Sequence, residues 1–222
     1  MSISDKMLYL KNQIPPQVKL IAVSKFRSVD IILESYHSGQ RIFGENKVKE
    51  LIAKKPLLPG DIEWHFIGHL QSNKVKYIAS FIHLIHSVDS FGLLQEINKE
   101  AIRHHRVIDV LLQFHIASEK SKFGLNLPTC KFLLESDSLQ DMQNIRITGV
   151  MGMATNTDDQ QIIRSEFRQL KEYFNFLKEE YFQNVSTFRE ISMGMTGDYR
   201  IAIEQGSTMV RIGSAFFGDT IF

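Results

Sequence analysis

The residues with the clearest chemical potential are one lysine and two turns of small residues. Lys25 closes a short apolar run, Leu20-Ile21-Ala22-Val23-Ser24-Lys25. Such a run reads as a buried parallel strand, and α/β folds hold ligands at the C-terminal ends of such strands. An amine placed there can lose its proton by desolvation and attack a carbonyl carbon. Two later segments, Ser192-Met193-Gly194-Met195-Thr196-Gly197 and Arg211-Ile212-Gly213-Ser214, each follow an apolar run. Glycine lets backbone N–H groups approach an anion closely, so both turns suit a phosphate. Arg211 stands inside an apolar run, where an unpaired guanidinium is costly to bury. An outward side chain or a salt bridge would resolve that cost, and so would a ligand.

These residues need a frame to bring them together. Eight segments read as strands: 20–25, 41–45, 63–68, 84–88, 110–116, 145–151, 188–193 and 209–212. They are short and rich in β-branched or aromatic residues. Helical patterns lie between them. The strongest is Ile163, Phe167, Leu170, Phe174, Leu177 and Tyr181, one apolar stripe at steps of four and three. Asp89 or Ser90 suits the start of a helix running to about His104, and Asp198 the start of a short one ending at Gly206. Strands alternating with helices predict a single (β/α)8 TIM barrel over residues 1–222, with an open doubly wound sheet as the rival.

The totals fit that frame. The chain has 222 residues, 43% hydrophobic and 23% charged, with a net charge of +1. That length suits one barrel domain. The balanced charge supplies no field favouring nucleic acid or an anionic membrane. The lone cysteine, Cys130, excludes an internal disulfide and a Cys-rich zinc site. No secretory h-region or membrane-length apolar run is present, and the expected location is cytoplasmic. His83, His86, His104 and His105 lack ligand spacing with acidic partners, so no metal is expected. His65 reads as a satisfied core histidine and Cys130 as a buried small apolar residue.

In a barrel, Lys25, Asn46, His69, Arg211 and the two turns converge on one mouth. A reactive lysine facing a phosphate site fits pyridoxal 5′-phosphate (PLP), whose aldehyde would bond the amine. A Schiff-base aldolase acting on a sugar phosphate would use the same parts. Asn46 has a second reading, as the cap of a helix beginning at Lys47.

The segments IAVSK, IFGEN, WHFIGHLQSNK, HSVDS, EKSKFG, ITGVMGMAT and SMGMTGDYRIAIEQGSTMVRIGSAFFG, spread from Leu20 to Gly218, resemble the YggS/PROSC group of pyridoxal phosphate homeostasis proteins. The resemblance implies a barrel like the N-terminal domain of alanine racemase, with PLP bound as an internal aldimine on Lys25. It implies Arg211 at the pyridine nitrogen and Gly213, with Ser214 beside it, at the phosphate. Ser192, Met193 and Gly194 would form the other phosphate turn, with Thr196 near it. Asn46 would line the pocket near the ring, and Met151 would pack against the ring region. An arginine at the ring nitrogen disfavours its protonation and weakens the ring as an electron sink. His69 stands where several relatives carry proline, and reads as a loop or pocket-wall residue. Lys120 and Lys122 read as surface charges after the fifth strand, although Lys122 belongs to the family pattern and could accept cofactor transiently.

The first expectation is therefore a PLP carrier rather than an enzyme. It would store and buffer the cofactor, deliver it to apo-enzymes and turn over little amino acid. The alternative is a racemase or related PLP enzyme. Against it stand Arg211 and the expected lack of a second, tyrosine-supplying domain, since a two-base racemase needs a group on each face of its substrate. No clear tyrosine offers the second base; Tyr199 lies just past the phosphate turn, and nothing in the sequence turns it toward the ring. The same lack of a dimerising domain favours a monomer.

Overall fold

The computed structural model describes residues 2–119 and 123–218. Eight parallel strands close into one barrel, in chain order around the ring, with the eighth paired to the first. They are β1 (Lys19–Val23), β2 (Ile42–Glu45), β3 (Glu63–Phe66), β4 (Leu84–Val88), β5 (Ile108–Gln113), β6 (Ile145–Met151), β7 (Glu190–Ser192) and β8 (Met209–Ile212). The predicted barrel is present, and the open sheet is not. β4, β6 and β8 have the predicted bounds. β1 ends two residues before Lys25, and β5 ends at Gln113 rather than Ile116.

Helices cover the outside of the ring. α1 (Ile3–Gln13) precedes β1, α2 (Val29–His37) follows it, and α3 (Val48–Lys54) follows β2. α4 (Phe91–Arg103) spans the predicted stretch between Ser90 and His104, although the Ser90 side chain makes no cap bond. α5 (Leu127–Leu134) and α6 (Asp137–Gln140) lead to β6, and α7 (Gln160–Glu180) leads to β7. α7 buries Ile163, Phe167, Leu170, Phe174 and Leu177 against the barrel, so the predicted stripe is its packing face. α8 (Tyr199–Glu204) starts after Asp198, and α9 (Ser214–Phe217) follows β8. Among the described residues, no helix is long and apolar enough to cross a membrane.

Two apolar regions hold the barrel together. The larger lies between strands and helices and includes Phe43, Trp64, Phe114, Phe167 and Phe216. The smaller comprises Ile21, Leu84, Leu111, Met151 and Met209. It fills the barrel lumen, because alternate strand residues point inward. The ring is tightest where β6 meets β7. A Cβ on Gly149, whose φ is +158°, would lie 1.8 Å from the Glu190 carbonyl oxygen. Gly149→Ala is expected to lower stability by about 3 kcal/mol, read as a reduced urea midpoint.

Candidate functional site

A cavity of about 490 Å³ opens at the C-terminal ends of the strands. Lys25, Asn46, Thr196, Arg211, Gly213 and Ser214 all line it. The parallel pairing of β1 with β2 and β8 brings the first two and the last three of these to one rim. Among the described residues no lining residue is acidic, whereas Lys25, Arg27 and Arg211 are cationic. An anion is the ligand such a wall favours.

Lys25 follows β1 and is exposed. The desolvation expected for its amine therefore does not come from the protein's own packing. Its backbone is held firmly instead. Ser24 Oγ donates to Glu45 Oε1 over 2.7 Å, and Lys54 Nζ donates to the Ser24 carbonyl over 2.9 Å and to Glu45 Oε1 over 2.7 Å. Phe26 has a left-handed φ of 61°, which costs energy for an aromatic residue. Its N–H donates to Glu50 Oε2 over 2.8 Å, and Glu50 also accepts from Lys54. A buried ion pair and a strained residue thus fix the chain on both sides of Lys25.

Arg211 points into the barrel and is 3% exposed. Its Nη1 donates to Ser192 Oγ over 2.5 Å and its Nη2 to the Gly152 carbonyl over 3.0 Å. Burial pulls the guanidinium down to about 10, which leaves it charged at neutral pH. Ser192 Oγ also lies 2.9 Å from His86 Nδ1, and His86 Nε2 lies 3.0 Å from His65 Nδ1. Burial holds both imidazoles well below the usual histidine range. This buried hydrogen-bonded chain runs from the cavity down the barrel axis.

The turn after β7 presents Met195, Thr196 and Gly197 to the cavity. The Met195 N–H donates to Asp198 Oδ1 over 2.5 Å, which shapes the turn. The Gly213 N–H donates to Thr196 Oγ1 over 3.4 Å, joining the two small-residue turns. Asn46 is not a helix cap: α3 is preceded by Lys47 and has no side-chain cap bond. Asn46 Oδ1 is instead buried without a hydrogen-bond partner. Such an atom fits a cavity that receives a polar ligand. Gly68 allows this wall to close, because a Cβ there would lie 2.3 Å from the Asn46 carbonyl oxygen.

Four expected site residues lie outside the cavity lining. Met151 is in the apolar lumen, and Met153, two residues later, lines the cavity instead. Ser192 lies beneath the cavity floor as the partner of Arg211 and His86. Met193 is buried in the outer core. Gly194, at φ +94°, lets the turn pass α8, since a Cβ would lie 2.6 Å from Ala202 Cβ. Its carbonyl accepts the Arg211 N–H. Lys120 and Lys122 lie outside the described residues. His69 lines the wall, stacks on Phe123 at 3.9 Å and faces Asp89 Oδ2 across 3.4 Å. Arg27, Gln113 and Phe123 also line the cavity without having been foreseen. Gln113 was legible as a polar residue ending an apolar strand, had β5 not been read as three residues longer.

This barrel, with a lysine after its first strand and paired small-residue turns after its last two, is of the alanine racemase N-terminal domain class. The family model of that description matches residues 2–221. The alanine racemase of Streptomyces coelicolor shares the fold at a TM-score of 0.77 and 13% identity, with this chain covering 58% of its length. Closer relatives narrow the class. The pyridoxal phosphate homeostasis protein of Aquifex aeolicus is 39% identical over 90% of this chain and 86% of its own. That of Schizosaccharomyces pombe is 36% identical over 90% and 84%. The structure of PipY from Synechococcus elongatus with PLP bound matches at a TM-score of 0.88 and 33% identity, covering 98% of this chain and all of that one. The chain belongs to the family of pyridoxal phosphate homeostasis proteins.

Proposed function

We propose that this chain binds PLP as a Schiff base on Lys25 and serves to store, buffer and deliver it in the cytoplasm, as a single-domain monomer over residues 1–222 that does not turn over amino acids. The observation that carries this reading is the cavity itself. An exposed amine, two cationic guanidinium groups and two small-residue turns share a wall that, among the described residues, holds no carboxylate. PLP supplies an aldehyde for the amine, a phosphate for the turns and a ring that stabilises negative charge.

Each group of the protein has a task. Lys25 anchors the aldehyde carbon, and a bound ring excludes water from an amine that the fold leaves exposed. The turns at 195–197 and 213–214 offer backbone N–H groups and hydroxyls to the phosphate. Asn46 offers its amide to a polar ring substituent. Arg211 keeps its charge and its orientation through Ser192 and Gly152. A fixed positive charge facing the ring nitrogen would oppose its protonation. That weakens carbanion chemistry and suits a carrier. Delivery to apo-enzymes fits a cavity open at the rim, where the anchoring lysine is accessible.

The test is the visible spectrum of the purified protein before and after borohydride, with the labelled peptide mapped. The expected result is a yellow band that bleaches on reduction, with the added mass on the peptide containing Lys25. No α-deuterium exchange is expected with a panel of D- and L-amino acids. A label on another lysine overturns the anchor, and fast exchange overturns the carrier reading in favour of a racemase.

A further inference from the structure

The opposite end of the barrel has its own cluster. A cavity of about 200 Å³ there is lined by Glu63, His65, His83 and several charged residues. One ligand atom from each of Glu63, His65 and His83 lies within 4.8 Å of the others. Glu63 and His65 sit two apart on β3 and so face the same way. His83 enters just before β4, whose Leu84 is paired with His65. The expectation of no metal weighed His83 and His86 without Glu63 or His65, which only strand pairing brings to them.

Three observations point to a ligand. His65 Nδ1 is engaged by His86, whereas His65 Nε2 is buried with no hydrogen-bond partner. A buried ring nitrogen without a partner is costly in either tautomer. Glu63 Oε2 lies 3.5 Å from His83 Nε2, and their side chains are 45% and 51% exposed, so both can close on an ion. The neighbouring cations pair with other carboxylates: Lys19 and Arg189 share Glu190, at 2.6 and 3.5 Å, and Arg146 pairs with Asp109 at 2.7 Å. Glu63 is thus left to the histidines.

We propose that Glu63, His65 and His83 bind a divalent transition-metal ion, with zinc the best match. Two imidazoles and one carboxylate form a donor set suited to zinc and leave a position open to water. Magnesium and calcium prefer all-oxygen shells. The support behind the site is also of the right kind, because a ligating histidine usually gives its other nitrogen to a fixed partner. An ion on His65 Nε2 puts the proton on Nδ1. That N–H then donates to His86 Nε2, and His86 Nδ1–H donates to Ser192 Oγ, which also accepts from Arg211. The ion would therefore set the direction of the hydrogen-bonded chain that ends at the upper cavity. The inference rests on the floor residues and does not depend on the cofactor reading.

The full-length protein, freed of metal by a chelator, is titrated with Zn²⁺ by calorimetry. Imidazole ¹⁵N shifts are recorded in parallel. One equivalent is expected to bind, and His65 is expected to lock with its proton on Nδ1. His83→Ala and Glu63→Gln alter half-exposed side chains and are expected to fold. Each should weaken binding by about 100-fold or more, above the loss typical of an outer-shell partner. A His104→Ala/His105→Ala variant should bind as the parent does. The proposal is overturned by the absence of stoichiometric binding, by unchanged affinity in both floor variants, by loss in the His104/His105 control, or by an unchanged His65 signal.

Discussion

Lys25→Ala is expected to abolish covalent capture of PLP, reducing the borohydride-fixed fraction from near stoichiometric to none. Among the described residues, Lys25 is the one lysine lining the cavity, and Lys47 makes a cation–π contact with Phe26 instead. The phosphate turns are untouched by the substitution, so the variant should still bind PLP non-covalently and more weakly. Equilibrium dialysis followed by reduction and intact-mass measurement separates the two. Stoichiometric fixed label in the alanine variant would remove Lys25 from its assigned role. Because the residue is exposed, the fold should survive, and the thermal midpoint should change little.

Lys54→Met is expected to cost about 3–5 kcal/mol of stability, the range for removing one partner of a buried ion pair. Glu45 is fully buried, and Lys54 is its cation at 2.7 Å. Without Lys54 the carboxylate keeps only the Ser24 hydroxyl. Urea midpoints at constant slope measure the effect. The double variant Glu45→Gln/Lys54→Met removes both charges and should recover most of the loss, a coupling that a double-mutant cycle reads directly. Acid gives a second check. Burial raises the Glu45 carboxyl above its ordinary value of 4.5, against the opposing pull of Lys54 and Ser24. A carboxyl raised on folding favours the folded state below its unfolded value and loses that contribution as pH rises through the folded one. The Lys54→Met penalty should therefore shrink as pH falls toward 4.5. Loss of this pair should also loosen residues 24–26 and slow capture by Lys25, although neither residue is among those lining the cavity.

The barrel was readable because its signals are local. Short β-branched runs alternate with a strong helical stripe at Ile163, Phe167, Leu170, Phe174 and Leu177, and these periods follow from backbone geometry alone. The rim residues were readable because strand ends in this fold face one mouth, which places Lys25, Asn46, Thr196, Arg211, Gly213 and Ser214 together. Met151, expected to pack against the ring region, lies deeper, in the apolar lumen, with Met153 above it. Residues two apart share a face, and periodicity does not say how far along the barrel axis each one sits. Ser192, Met193 and Gly194 belong to a motif whose later half meets the cavity while its earlier half supports it.

By itself, the sequence determined the number and order of the strands, the helix faces, the presence of an amine and paired small-residue turns at one end, and membership in a family through long motifs. All of these depend on residues close together in the chain. Tertiary structure alone decided which polar residues meet. Glu45 with Lys54, Arg211 with Ser192 and His86, and Glu63 with His65 and His83 join different elements. The inward direction of Arg211, Ser192, His86 and His65 is set by strand register and barrel closure, whereas Glu45 turns outward to Lys54 on α3. A polar residue in a strand has two faces to choose from, and only the closed ring makes one of them a shared interior.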